Sequence, residues 1–83
     1  MQIISIPQNE QLVFSQESAA HLVNFLSRFD ASIMIHDGNR TINAKSLLGL
    51  LSLGYLQSGA LEFTIDGYDE QAALEAIRHY FSR

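Results

Sequence analysis

Eighty-three residues with 5 Lys+Arg against 9 Asp+Glu, no Cys and one Pro suit a single domain held by apolar packing, and they exclude a disulfide framework, a zinc ribbon and thiol chemistry. The formal charge of −4, with basic residues scattered as Arg28, Arg40, Lys45, Arg78 and Arg83, offers no stripe to neutralise phosphates, so no direct nucleic-acid binding is expected. An apolar fraction of 47% argues against a disordered chain, while no apolar run nears the ~20 residues of a membrane span and no basic flank of a signal peptide opens the chain, so a cytoplasmic protein with no membrane contact is expected.

Residues 2–7 alternate, with Ile3 and Ser5 on one side and Ile4 and Ile6 on the other, which predicts a short strand near a sheet edge, closed by Pro7. The polar stretch 8–11 reads as a loop. From Ser18 the apolar residues Ala19, Leu22, Val23 and Leu26 recur at helical spacing, with Phe29 closing the stripe. Ser15 is the expected N-cap, and Glu17 sits in the first turn, where negative charge suits the helix dipole. Residues 31–36 alternate again, Ile33 and Ile35 inward and Ser32, Met34 and His36 outward. Asp37-Gly38 supplies a hairpin turn and 40–43 returns as the partner strand.

Ser46 then caps a short, leucine-rich helix over 47–53 that Gly54 terminates. Leu61, Phe63 and Ile65 alternate with Glu62, Thr64 and Asp66 as a fourth strand. Asp69 is expected to cap a closing helix whose Leu74, Ile77 and Phe81 face one way. The order is β-α-β-β-α-β-α over one domain, 1–83. It predicts an α+β fold in two layers, with the helices on one face of the sheet.

The leucine-rich helix stands out chemically. Leu50 and Leu53 share a direction, whereas Leu47, Leu48 and Leu51 point substantially elsewhere, and contiguous exposed leucines mark a contact surface. Ser46 has two readings that do not exclude each other. It is an N-cap, and it is a position where an added phosphate would meet helix amides and bring about two negative charges to the rim of the leucines. Of the three histidines, His21 and His79 each follow a glutamate by four residues, as expected of exposed i, i+4 pairs with Glu17 and Glu75, and His36 sits outward beside a turn. None has a ligand-spaced companion, so no metal site is expected. No glycine-rich phosphate loop or nucleophile elbow occurs, no cofactor is implied, and the residues read as a binding module rather than an enzyme.

The run Asp37-Gly38-Asn39-Arg40-Thr41-Ile42-Asn43-Ala44-Lys45-Ser46-Leu47-Leu48-Gly49-Leu50-Leu51-Ser52-Leu53-Gly54 resembles the HPr family, the small histidine phosphocarriers of the bacterial phosphoenolpyruvate:sugar phosphotransferase system. The match continues through Gly59-Ala60-Leu61-Glu62-Phe63-Thr64-Ile65 and Asp69-Glu70-Gln71-Ala72-Ala73-Leu74, and back through Ser18-Ala19-Ala20 to Phe29. The resemblance implies an open-faced β-sandwich, with a four-stranded, mainly antiparallel sheet and three helices on one face. It also implies a departure. The family reads Gly-Ile/Leu-His-Ala/Thr-Arg-Pro-Ala-Ala where this chain has Val13-Phe14-Ser15-Gln16-Glu17-Ser18-Ala19-Ala20. Ser15 thus falls on the phosphate-accepting histidine and Glu17 on the arginine that would neutralise phosphate. A serine phosphate ester is too stable to relay phosphate reversibly between proteins, and a carboxylate repels it.

The segment around Ser46, with Asn43, Lys45, Leu47, Leu48, Gly49 and Leu51, resembles instead the family's regulatory site. There HPr kinase/phosphorylase modifies the serine, and the product serves a catabolite control transcription factor. The resemblance therefore implies a regulatory or binding member with protein partners: that kinase, the catabolite regulator or phosphotransferase proteins. Two alternatives stand beside it. One is a divergent phosphocarrier using another acceptor such as His21; the other is an HPr-fold docking protein for an unrelated partner.

Overall fold

The computed structural model describes residues 1–8, 13–54 and 59–82. Within them the chain forms β1 (Gln2–Pro7), α1 (Gln16–Leu26), β2 (Ser32–Asp37), β3 (Arg40–Asn43), α2 (Leu47–Leu53), β4 (Ala60–Asp66) and α3 (Glu70–Phe81). The polar loop expected over 8–11 lies outside the described residues beyond Gln8. The strands pair antiparallel in the order β1-β4-β2-β3.

Strand alternation sets which face is buried. Ile4 and Ile35 both stand opposite Phe63, and Ile33 stands opposite Ile65; all five are in the core. The helices cover that face with Ala19, Leu22 and Leu26 of α1, Leu50 and Leu53 of α2, and Ala73, Leu74 and Ile77 of α3. The opposite face carries Ile3, Thr64 and Met34 in one row and Ser5, Glu62 and His36 in the next. The α+β architecture is the one the pattern implies, with helices on a single face.

Two local expectations need correction. The β2–β3 hairpin turns at Gly38-Asn39, because Asp37 is still a strand residue paired with Arg40. Gly38 takes φ +64° while Asn39 stays negative, the pattern of a II′ turn. Asp37 is fully buried, the only polar residue in the described core. Asp69 occupies the N-cap position of α3 but makes no side-chain cap bond. Its carboxylate accepts instead from the amides of Asp30 and Ala31, both at 2.9 Å, and ties the entrance of β2 to the turn before α3. At that crossing Gly67 is obligatory: a Cβ there would lie 2.6 Å from the Ala31 Cα.

Candidate functional site

Ser15 and Ser46, the two serines singled out by sequence, lie near the two ends of α2. Phe14 is buried, and its amide donates to the Gly54 carbonyl at 3.2 Å, so the entrance of α1 is pinned to the exit of α2. Gly54 adopts φ +65°, which favours glycine at that exit. Ser15 follows in extended conformation as the N-cap of α1. Its Oγ accepts the Ser18 amide at 3.1 Å, and the Ser18 Oγ accepts the Ser15 amide at 3.0 Å. This is a reciprocal capping box with serine in the place more often held by Glu or Gln. Both hydroxyls are solvent-exposed, and among the described residues the partners of Ser15 are backbone and hydroxyl atoms, with no imidazole to take its proton. A hydroxyl without a base is a poor nucleophile.

Glu17 is exposed in the first turn of α1. Phe25 stacks on Tyr80 of α3 with centroids 4.6 Å apart. Val23 packs against the margin of the core, and Glu17 lies one turn before the half-buried Ala20. The described cations are engaged elsewhere: Arg28 over the Phe25 ring, Arg40 with Asp37, Lys45 with the Phe29 carbonyl and Arg78 near Glu75.

At the other end of α2, the Ser46 Oγ accepts the Gly49 amide at 3.0 Å, the expected N-cap bond. The approach is shaped by a turn in which the Asn43 Oδ1 accepts the Lys45 amide at 2.9 Å, and the Lys45 Nζ donates to the Phe29 carbonyl at 2.5 Å. Gly49 keeps this corner tight, since a Cβ there would stand 3.3 Å from the Asn43 carbonyl oxygen and from the Ser46 Oγ. Ser46 itself is half-buried.

The leucines divide more unevenly than expected. Leu50 and Leu53 are buried, and Leu48, roughly 160° round the axis from Leu50, is 79% exposed. Leu47 and Leu51 lie between these directions and are half-buried against the margin of the core. The exposed apolar ridge of α2 is therefore Leu48, flanked by partly covered Leu47 and Leu51.

The histidine pairings also differ. Glu75 lies 4.0 Å from Arg78 and accepts from the Gln71 amide nitrogen at 3.2 Å, and His79 stays exposed. No Glu17–His21 ion pair forms among the described residues. His21 is exposed six residues beyond Ser15, ~9 Å further along the axis at 1.5 Å per residue, so the fold does not bring the two together. His36 is half-buried on the open sheet face, its ring nitrogens 2.9 Å from the Thr41 Oγ1 and 2.7 Å from the Thr64 Oγ1. No group of three His, Cys, Asp or Glu among the described residues could hold a metal ion. No helix there is long and apolar enough to cross a membrane.

Comparison with known proteins agrees with this layout. The family model described as "PTS HPr component phosphorylation site" matches residues 13–83. Phosphocarrier protein HPr of Treponema pallidum is 40% identical over 63 residues, 76% of this chain and 72% of that protein. Its Xylella fastidiosa counterpart is 33% identical over 64 residues, 77% and 72% of the two chains. Among solved structures, HPr from Bacillus anthracis superimposes with a TM-score of 0.82 at 30% identity, covering 98% of this chain and 96% of that one. Crh, the Bacillus subtilis catabolite repression protein seen as a swapped dimer, gives a TM-score of 0.73 at 28% identity, covering 90% and 86%.

Proposed function

The chain belongs to the HPr family, whose members are phosphocarrier proteins and not enzymes, and we propose that this one is a regulatory binding module rather than a histidine phosphocarrier. The observation that carries the reading is Ser15. Where the resemblance expects a relay imidazole, a hydroxyl forms a capping box with Ser18, without a base partner among the described residues and with a carboxylate two residues on. The remaining features support a role in recognition. Ser46 is a half-buried N-cap whose hydroxyl a kinase could esterify, and the ridge of Leu48 with Leu47 and Leu51 stands beside it on α2. A phosphate on Ser46 would bring about two negative charges next to that ridge and alter which surfaces it accepts. The likeness to Crh, named for catabolite repression, supports the same direction. The partners would be HPr kinase/phosphorylase and a catabolite regulator or phosphotransferase proteins, with residues 1–83 forming one domain in the cytoplasm.

Phosphotransfer through His21 in place of the residue at 15 finds no support in the geometry, because His21 lies six residues beyond Ser15, ~9 Å further along the helix axis. The test of the switch is incubation with HPr kinase and ATP. One acid-stable phosphate is expected on the intact protein and none on Ser46→Ala. No incorporation by a kinase that is active on its own HPr would remove Ser46 from the proposal.

A further inference from the structure

The ion pair that the binding role leaves unused is Asp37–Arg40. Its two residues face each other across the β2–β3 turn, and Asp37 is fully buried. Among the described residues the guanidinium donates from Nη2 to the Asp37 carboxylate and from Nη1 to the Leu53 carbonyl at 2.9 Å. Leu53 is the last residue of α2. The next residue, Gly54, donates its amide to Leu51 at 3.2 Å and accepts the Phe14 amide on its carbonyl. A continuous path therefore runs from a buried carboxylate, through one guanidinium, to the joint where α2 ends and α1 begins.

We propose that Arg40, anchored by Asp37, is a positioning residue that fixes this joint, and with it the relative placement of the Leu48 ridge and the Ser15–Glu17 corner. The functional weight of that placement rests on the reading of α2 as a docking surface; the mechanical statement does not. The fork of the guanidinium is what suits Arg40 to this role. Its planar donors hold the carboxylate and the helix-terminal carbonyl at a fixed mutual angle, whereas an ammonium is a point charge on a flexible stem. A carboxylate buried at this position needs a cation in any case. The use of the second arm on α2 is what converts a structural pair into a clamp.

The experiment is amide hydrogen exchange on the whole protein, with two variants. Arg40→Lys keeps a charge for Asp37 but loses the rigid fork. Asp37→Asn combined with Arg40→Met removes both charges together, the kind of paired replacement that buried ion pairs often tolerate. In both, exchange at Gly54 and Phe14 is expected to quicken about tenfold or more relative to Ile35 and Phe63 in the sheet, as a lost charge-assisted bond implies. Unchanged relative protection at Gly54 and Phe14 in either variant would overturn the proposal. If the paired variant does not fold, Arg40→Lys alone decides it. Because no partner is present, this outcome is independent of whether α2 docks anything. A separate measurement of Ser46 phosphorylation by HPr kinase bears on that question.

Discussion

At position 15 the side chain already has an occupation. The Ser15 hydroxyl and the Ser18 hydroxyl close each other's backbone amides, and neither side chain brings the imidazole nitrogen that a readily reversible phosphoryl relay requires. Replacing Ser15 with Ala should cost about 1 kcal/mol, the usual worth of an N-cap, read as a lowered urea midpoint with an unchanged slope. The same substitution should leave phosphorylation by HPr kinase untouched, which separates capping from chemistry at this residue. Ser15 and Ser46 as caps were both legible in the sequence, because Ser followed by a helical stripe is a local signal. Asp69 shows where that logic fails. Its position is that of a cap, but two amides 38 and 39 residues away compete for the carboxylate and win, and no local pattern announces a partner so distant in sequence.

Among the elements, α2 carries most of the proposed function and divides its leucines by direction. Leu50 and Leu53 anchor it, Leu48 faces solvent, and Leu47 and Leu51 lie on the shoulders. Leu50→Ala is expected to destabilise the fold by about 3 kcal/mol, whereas Leu48→Ala should shift stability by no more than about 0.5 kcal/mol. Leu48→Asp should therefore remain folded while losing partner binding, measured by titration against the purified catabolite regulator with the Ser46-phosphorylated protein. Full binding by that variant would place the interface elsewhere. The helical stripe told which leucines point inward, since two buried positions fix the phase of a short helix. It could not tell how much of Leu47 and Leu51 the neighbouring core margin covers, because that depends on packing between elements. The Asp37–Arg40 pair was hidden for a related reason. Asp-Gly-Asn-Arg reads as a polar turn, and only the two-residue loop turns its outer residues into a facing pair, one of them buried.

On the scale of the whole molecule, the two layers are closed by ties between distant segments rather than by any one element. Asp69 holds the 30–31 backbone, Gly67 permits its close approach, and Glu70 reaches both the Gly67 amide at 3.1 Å and the Met1 α-amino group at 2.8 Å. The α-amino group, and after it the Gly67 amide, hold the Glu70 carboxyl below its ordinary value. A lowered carboxyl pKa in the fold means that the stabilisation is complete above the ordinary carboxylate range. It is lost as pH falls through the folded value. Glu70→Gln should accordingly flatten the acid limb of the stability profile, seen as a smaller drop in Tm between about pH 6 and about pH 3 than in the parent protein. Architecture at this scale was the most legible feature, because alternating Ile33, Ile35, Leu61, Phe63 and Ile65 and the stripes of α1 and α3 repeat over many residues. Strand order and the closing ties were not, since both are contacts between segments that periodicity cannot connect.

The central claim is that this chain, with Ser15 where the family's acceptor histidine is expected, does not relay phosphate from Enzyme I through a histidine. Its most direct test is the intact mass and acid lability of the protein after incubation with Enzyme I and phosphoenolpyruvate, with an ordinary HPr as the positive control. The expected result is an unchanged mass while the control gains one acid-labile phosphate. An acid-labile phosphate on this chain would contradict the claim, and mapping it to His21, His36 or His79 would name the acceptor.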